Sequence, residues 1–207
     1  MCKRILYIYL NKMNYPKIKI AYNQHLDPIF KGWFLSQPNF KDRKIPDKDF
    51  LDKQILMYKE QWDLYGDIVL KAICDITSLN FVRNHIDVHV VSDLYTPFSR
   101  PIVITSKYRK EQFITYMIHE LIHCLSLDNN LKLIHYYPHP KKSVATHVVV
   151  HAIMQYVLSD VLKLPEYIQV DKDNCSKFPE LGYKEAWEIV EKEGYMKLIE
   201  KFKLSIK

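Results

Sequence analysis

Two histidines four residues apart, with a glutamate beside the first, stand in the stretch Thr115-Tyr116-Met117-Ile118-His119-Glu120-Leu121-Ile122-His123-Cys124. On a helix of about 3.6 residues per turn, His119 and His123 share one face, close enough to hold one metal ion together. Glu120 lies about a third of a turn round. From there its carboxylate can reach a water on that ion and act as general base. The residues around the motif are apolar: Ile114, Met117, Ile118, Leu121, Ile122 and Leu125 cover most of the circumference. A helix of that kind is expected to be buried. Histidines and a glutamate inside a core need partners, because an unpaired buried charge is costly, and a metal ion would supply one. The competing reading is an amphipathic helix whose His119, Glu120 and His123 form a solvated stripe.

The segment resembles the active-site helix of the zincin metallopeptidases, in which His-Glu-x-x-His brings two zinc ligands and a general base. The resemblance spans roughly residues 86–160 and leaves out the N-terminal third. It implies an α+β fold, Zn2+ as cofactor, metal ligation by His119 and His123, catalysis by Glu120 and a peptide or protein substrate. Zincins usually place an antiparallel edge strand above this helix, where a peptide can pair with it. Residues 102–105 hold the matching place in chain order.

A catalytic zinc ion typically has three protein ligands and an open position. The metzincin layout needs glycine and histidine where this chain has Ser126 and Asn129, so that subclass is excluded. The remaining layout puts the third ligand on a second helix. The run Ser143 to Leu158 is almost wholly apolar except His147, His151 and Gln155, spaced by four. They make a narrow polar stripe on a buried helix, and a buried stripe requires partners. Hydrogen-bonded core histidines are the plainer reading, and either histidine could be the ligand. Gluzincins carry Glu-x-x-x-Asp on this helix, the first residue binding zinc and the second orienting a ligand histidine. Matched to that pattern, His147 takes the ligand position and His151 the outer one. This chain has histidine where that family has glutamate, and an all-histidine site leaves the ion its full +2 charge. In the loop that joins the two helices, His135, Tyr136, Tyr137 and His139 are candidates for stabilising an oxyanion.

The elements that must position these groups can be read from pattern. Lys17 to Tyr22 alternates as a strand does. Residues 23–46, with Pro28, Pro38 and Pro46, predict an irregular segment with one short helix. Asp47 is a good N-cap for a long helix. Its face runs Leu51, Ile55, Tyr58, Trp62, Tyr65, Val69, Ala72, Ile76 in alternating steps of four and three, the pattern of a coiled-coil seam or, more often for a single stripe in a globular chain, of a helix backing a sheet. Gly66 interrupts it at a cost of about 1 kcal/mol relative to alanine. Ile86 to Val91 predicts a strand, and Pro101 to Thr105 an edge strand opening on proline. Ser106 or a neighbour is expected to cap the motif helix, about 109–126. Ser143 is expected to cap the second helix, which runs to about Lys163. After a polar stretch, Tyr183 to Val190 and Tyr195 to Phe202 predict a final helix or helix pair.

At 207 residues the chain is long enough for one domain with a real core, and with 48% hydrophobic residues it is globular. Only 4 glycines argue for a helix-rich α+β chain with few tight hairpins. We expect residues 1–16 to be a poorly ordered leader and 17–207 a single domain with a C-terminal helical extension. The net charge of +6 comes from lysines scattered among acids, which favours solubility over a nucleic-acid module. Cys2, Cys74, Cys124 and Cys175 form no CxxC pair and suit reduced thiols in a cytoplasmic protein. The apolar run Ile5–Leu10 is too short for a signal peptide, and no run reads as membrane-spanning. Two further readings stand beside peptide hydrolysis: a non-catalytic metal-stabilised binding protein, and a DNA-associated or regulatory zincin protease.

Overall fold

The computed structural model describes residues 15–36, 44–94, 96–176 and 179–206; the expected leader falls almost wholly outside them. The fold is α+β and helix-rich, built on one small mixed sheet. Its strands are β1 (Lys17–Tyr22), β2 (His85–Val91), β3 (Phe98–Ser99) and β4 (Ile102–Thr105), in the order β1-β2-β4-β3. β1, β2 and β4 run parallel, and β3 is antiparallel to β4. The helices are α1 (Asp27–Ser36), α2 (Lys48–Thr77), α3 (Lys110–Asp128), α4 (Lys142–Tyr156), α5 (Glu166–Cys175), α6 (Tyr183–Glu193) and α7 (Tyr195–Ser205). A π-helical turn, Val157–Val161, continues α4.

α2 starts where its sequence says: the Asp47 carboxylate accepts the Phe50 backbone N–H at 2.8 Å. Leu51, Ile55, Tyr58, Trp62, Val69 and Ala72 of its stripe are buried, and Tyr65 and Ile76 pack against the core. Gly66 is there for space, since a Cβ would stand 2.5 Å from the Trp62 indole. Tyr58 ties α2 to the approach of the motif helix. Its hydroxyl donates to Thr105 O at 2.9 Å and accepts from Tyr108 N at 3.0 Å, and its ring stacks on Phe113 at 4.4 Å.

Several local expectations need correction. β4 is not the edge strand: β2 flanks it on one side and β3 on the other, and all four of its residues are buried. An unbroken apolar run such as Ile102-Val103-Ile104 belongs to a strand covered on both faces. Pro101 precedes the strand, in the turn from β3, so it costs the ladder no donor. The edge is β3, two residues long and too short for periodicity to reveal. Ser106 does not cap α3; its hydroxyl donates to Ser92 O at 3.0 Å. The N-cap is Arg109, whose N–H is taken by the Gln112 side chain at 3.1 Å. Lys141, not Ser143, is the N-cap of α4. The stretch after Pro165, read as polar connection, is largely the helix α5.

α4 is buried on nearly every side, packed against α3, α6 and α7. Together with the π turn, Lys142–Val161 is long and apolar enough to cross a membrane, contrary to expectation, and 67% of that window is buried inside the fold. A core helix of a globular chain meets the same criteria. α6 and α7 form the expected C-terminal pair, divided at Gly194, whose φ of 85° a side chain would resist.

Candidate functional site

α3 and α4 cross so that three histidines meet. His119 and His123 lie one turn apart on α3, with their Nε2 atoms 3.2 Å from each other. Two nitrogens each about 2.0–2.1 Å from a tetrahedral zinc ion would be about 3.3 Å apart. His147 of α4 closes the group, its ring 5.1 Å from that of His119 and 5.3 Å from that of His123. One nitrogen from each of the three lies within 4.8 Å of the other two. His147 Nδ1 sits 2.7 Å from Ser143 O, a contact that requires this nitrogen to carry the hydrogen. Nε2 is then left with its lone pair free, the arrangement that metal-ligating histidines adopt. The donors present could therefore hold a metal ion.

Burial keeps all three imidazoles neutral. It lowers His123 to about 3 and His147 to about 4, and it holds His119 well below the usual histidine value, with His123 and the other histidines adding to the effect. Neutral imidazole is the form that binds metal. His123 is only half-buried, so the group has one side toward solvent.

Glu120 is 3% exposed, and burial pushes its carboxyl up to about 7. The Ser99 hydroxyl of β3 donates to Glu120 Oε2 and opposes that rise. The same residue's carbonyl accepts the Cys124 thiol at 3.0 Å, so β3 is fastened to α3 at two points. Cys124 is thus a core thiol, raised to about 12 by burial. Beside His119 and Glu120 lies a cavity of about 30 Å³, bounded also by Thr96, Pro97, Tyr116 and Tyr183 and, on its far wall, by Asp171, Asn174 and Cys175. A void of that size holds a water or two.

The loop residues lie elsewhere. His135 is exposed. Tyr136 packs edge-on against Phe202 of α7 at 4.9 Å, and the Tyr137 hydroxyl donates to Glu193 at 2.7 Å. His139 stands 3.3 Å from Glu185. The loop turns these four toward α6, α7 and solvent, so the oxyanion role expected of them has no geometric support. Tyr183, the first residue of α6, lies beside the group instead: its ring centroid is 4.1 Å from that of His147 and it borders the cavity. Burial raises its hydroxyl to about 12, so it remains a donor. Gly182, at φ 72°, makes the turn that delivers it. Only that glycine hinted at it in sequence. Ser99 and Asp171 were equally invisible.

His151 stands apart from the three. Its ring is 5.8 Å from that of His119 and 5.7 Å from that of His147, and neither of its nitrogens has a hydrogen-bond partner among the described residues. The outer role expected of it, orienting a ligand histidine, is not met by any contact. It groups instead with Asp171 and Cys175.

Compared with known proteins, the chain matches no family model, no curated protein and no solved structure. Its resemblance to zincins rests on these side chains and their arrangement alone.

Proposed function

We propose that the protein is a zinc-dependent peptide hydrolase in which His119, His123 and His147 hold the ion and Glu120 is the general base. The observation that carries this reading is the 3.2 Å separation of the His119 and His123 Nε2 atoms, with a third imidazole within ligand reach and a carboxylate on the adjoining cavity. When bound, the ion would supply a Lewis acid for the substrate carbonyl and acidify a neighbouring water. The chain's own part is positioning and proton transfer. Ser99 fixes one oxygen of Glu120, leaving the other to take a proton from water and later give it to the leaving amine. A carboxyl near 7 is matched to that exchange at neutral pH, and a dication beside it would lower it. The Tyr183 hydroxyl is the donor for the developing oxyanion. β3, the antiparallel edge beside α3, is the strand against which a peptide would align, not residues 102–105.

The test is Glu120→Gln, assayed on a peptide library with zinc content measured in parallel. Zinc should be retained and hydrolysis should fall about 10²–10⁴-fold. Hydrolysis that survives the change overturns the reading. The small volume of the cavity favours a second one, a metal-stabilised binding protein without catalysis. Retained zinc with no hydrolysis by the unsubstituted protein on any peptide would select it.

A further inference from the structure

We propose that His151, Asp171 and Cys175 form a second metal site, for a divalent ion of the zinc class, beside the same cavity, which Asp171 and Cys175 line. Each offers one donor atom, and the three atoms lie within 4.8 Å of one another. Asp171 and Cys175 are four residues apart on α5 and so share a face, which packs toward His151 on α4. The separation of Cys175 Sγ from Asp171 Oδ2 is 3.4 Å. A sulfur at about 2.3 Å and an oxygen at about 2.1 Å from a tetrahedral ion would be about 3.6 Å apart.

The second observation is His151 itself. It is fully buried at 0% exposure, and both ring nitrogens lack a partner among the described residues. An orphaned buried polar group is costly, and ligation would relieve one of them. The ring is nonetheless held in place. It lies flat on the Trp187 indole, centroids 4.4 Å apart and 14° from parallel. The same indole donates Nε1–H to Asp171 Oδ2 at 2.7 Å. One tryptophan thus orients two of the three donors, as the outer contacts of metal ligands do.

Charge balance points the same way. Burial pushes both the Asp171 carboxyl and the Cys175 thiol up, so without a cation neither readily carries charge. A thiolate and a carboxylate together offset the +2 of the ion, and the imidazole is neutral, so the loaded centre carries no net charge into a dry interior. On binding, the Cys175 Sγ–H proton, and the Asp171 carboxyl proton where present, pass to solvent as the sulfur–metal and oxygen–metal bonds form. A thiolate donor excludes magnesium and calcium. The cavity supplies room for a water as fourth ligand. An ion here would pin α5 to α4 behind Glu120 and Tyr183. None of its ligands belongs to the first group, so the site stands whether or not the chain hydrolyses peptides.

Cobalt(II) distinguishes the two sites, because only the second has a thiolate. Chelator-stripped protein reloaded with cobalt should bind two equivalents and show a near-ultraviolet sulfur-to-cobalt charge-transfer band. Cys175→Ser should abolish the band and leave one equivalent, while Cys124→Ser should leave both unchanged. His123→Ala should remove one equivalent and keep the band, separating this site from the first. A loaded protein without the band, or a band that persists in Cys175→Ser, overturns the proposal. Should Cys175→Ser not fold, a variant with Cys2, Cys74 and Cys124 all changed to serine decides the matter: the band present supports the site, and the band absent refutes it.

Discussion

Removing metal should make the protein acid-labile, and the groups around the cavity set the size of the effect. His123 and His147 are neutral in the fold, lowered to about 3 and about 4, whereas unfolded they titrate near 6.5. A group of this kind contributes stability above the unfolded value that is lost as pH falls toward the folded one. At pH 5 each has lost about 2 kcal/mol relative to pH 8. Glu120 and Asp171 act oppositely. Their folded values of about 7 and about 6 exceed the ordinary 4.5 and 3.8, so the fold takes up their protons first and gains as pH falls. Together they return about 4 kcal/mol between pH 8 and pH 5, which balances His123 and His147. His119 and His151, both held well below the usual value chiefly by burial, then decide the sign. The net change from pH 8 to pH 5 is therefore a loss of stability. Urea unfolding of chelator-treated protein, followed by circular dichroism at the two pH values, measures it. The midpoint should be lower at pH 5 than at pH 8. A midpoint at pH 5 equal to or above that at pH 8 would refute the claim that these histidines are buried uncharged.

Three further outcomes follow from particular contacts. Tyr58→Phe leaves the Thr105 carbonyl and the Tyr108 N–H without their buried partner and should cost about 2–4 kcal/mol in urea unfolding; a loss under about 0.5 kcal/mol would mean that water replaces the hydroxyl. Gly66→Ala gains about 1 kcal/mol of helix propensity but drives a methyl into the Trp62 ring, so a net destabilisation of about 1–2 kcal/mol is expected, and a stabilised variant would show that the indole moves freely. Tyr183→Phe should retain zinc and lower kcat by about 10²–10³-fold with little change in KM; an unchanged kcat would remove Tyr183 from the mechanism.

What the sequence revealed was whatever repeats along one element. The step of four that joins His119 to His123 is a property of a single helix, as is the polar stripe that singles out His147, and the α2 face follows the same rule along most of a helix of 30 residues. What it hid was contact between elements. Ser99 meets Glu120 and Tyr183 meets His147 because β3 and α6 pack there, and no spacing along the chain encodes either meeting. β4 was misplaced because its neighbour β3 is two residues long. Asp171 and Cys175 do carry a step of four, but in a stretch too polar to read as a helix lining a core.

The central position of α4 has a consequence during synthesis. The helices that cover it on one side, α6 and α7, leave the ribosome after it. At roughly 5–20 residues per second, the 45 residues from the end of the π turn to Ile206 take about 2–9 s to follow. For that interval α4 is without its final cover, and with the π turn it carries the length and hydropathy by which membrane-insertion machinery selects its clients. A nascent chain halted before Tyr183 would thus be a substrate for chaperones or for misdirected insertion.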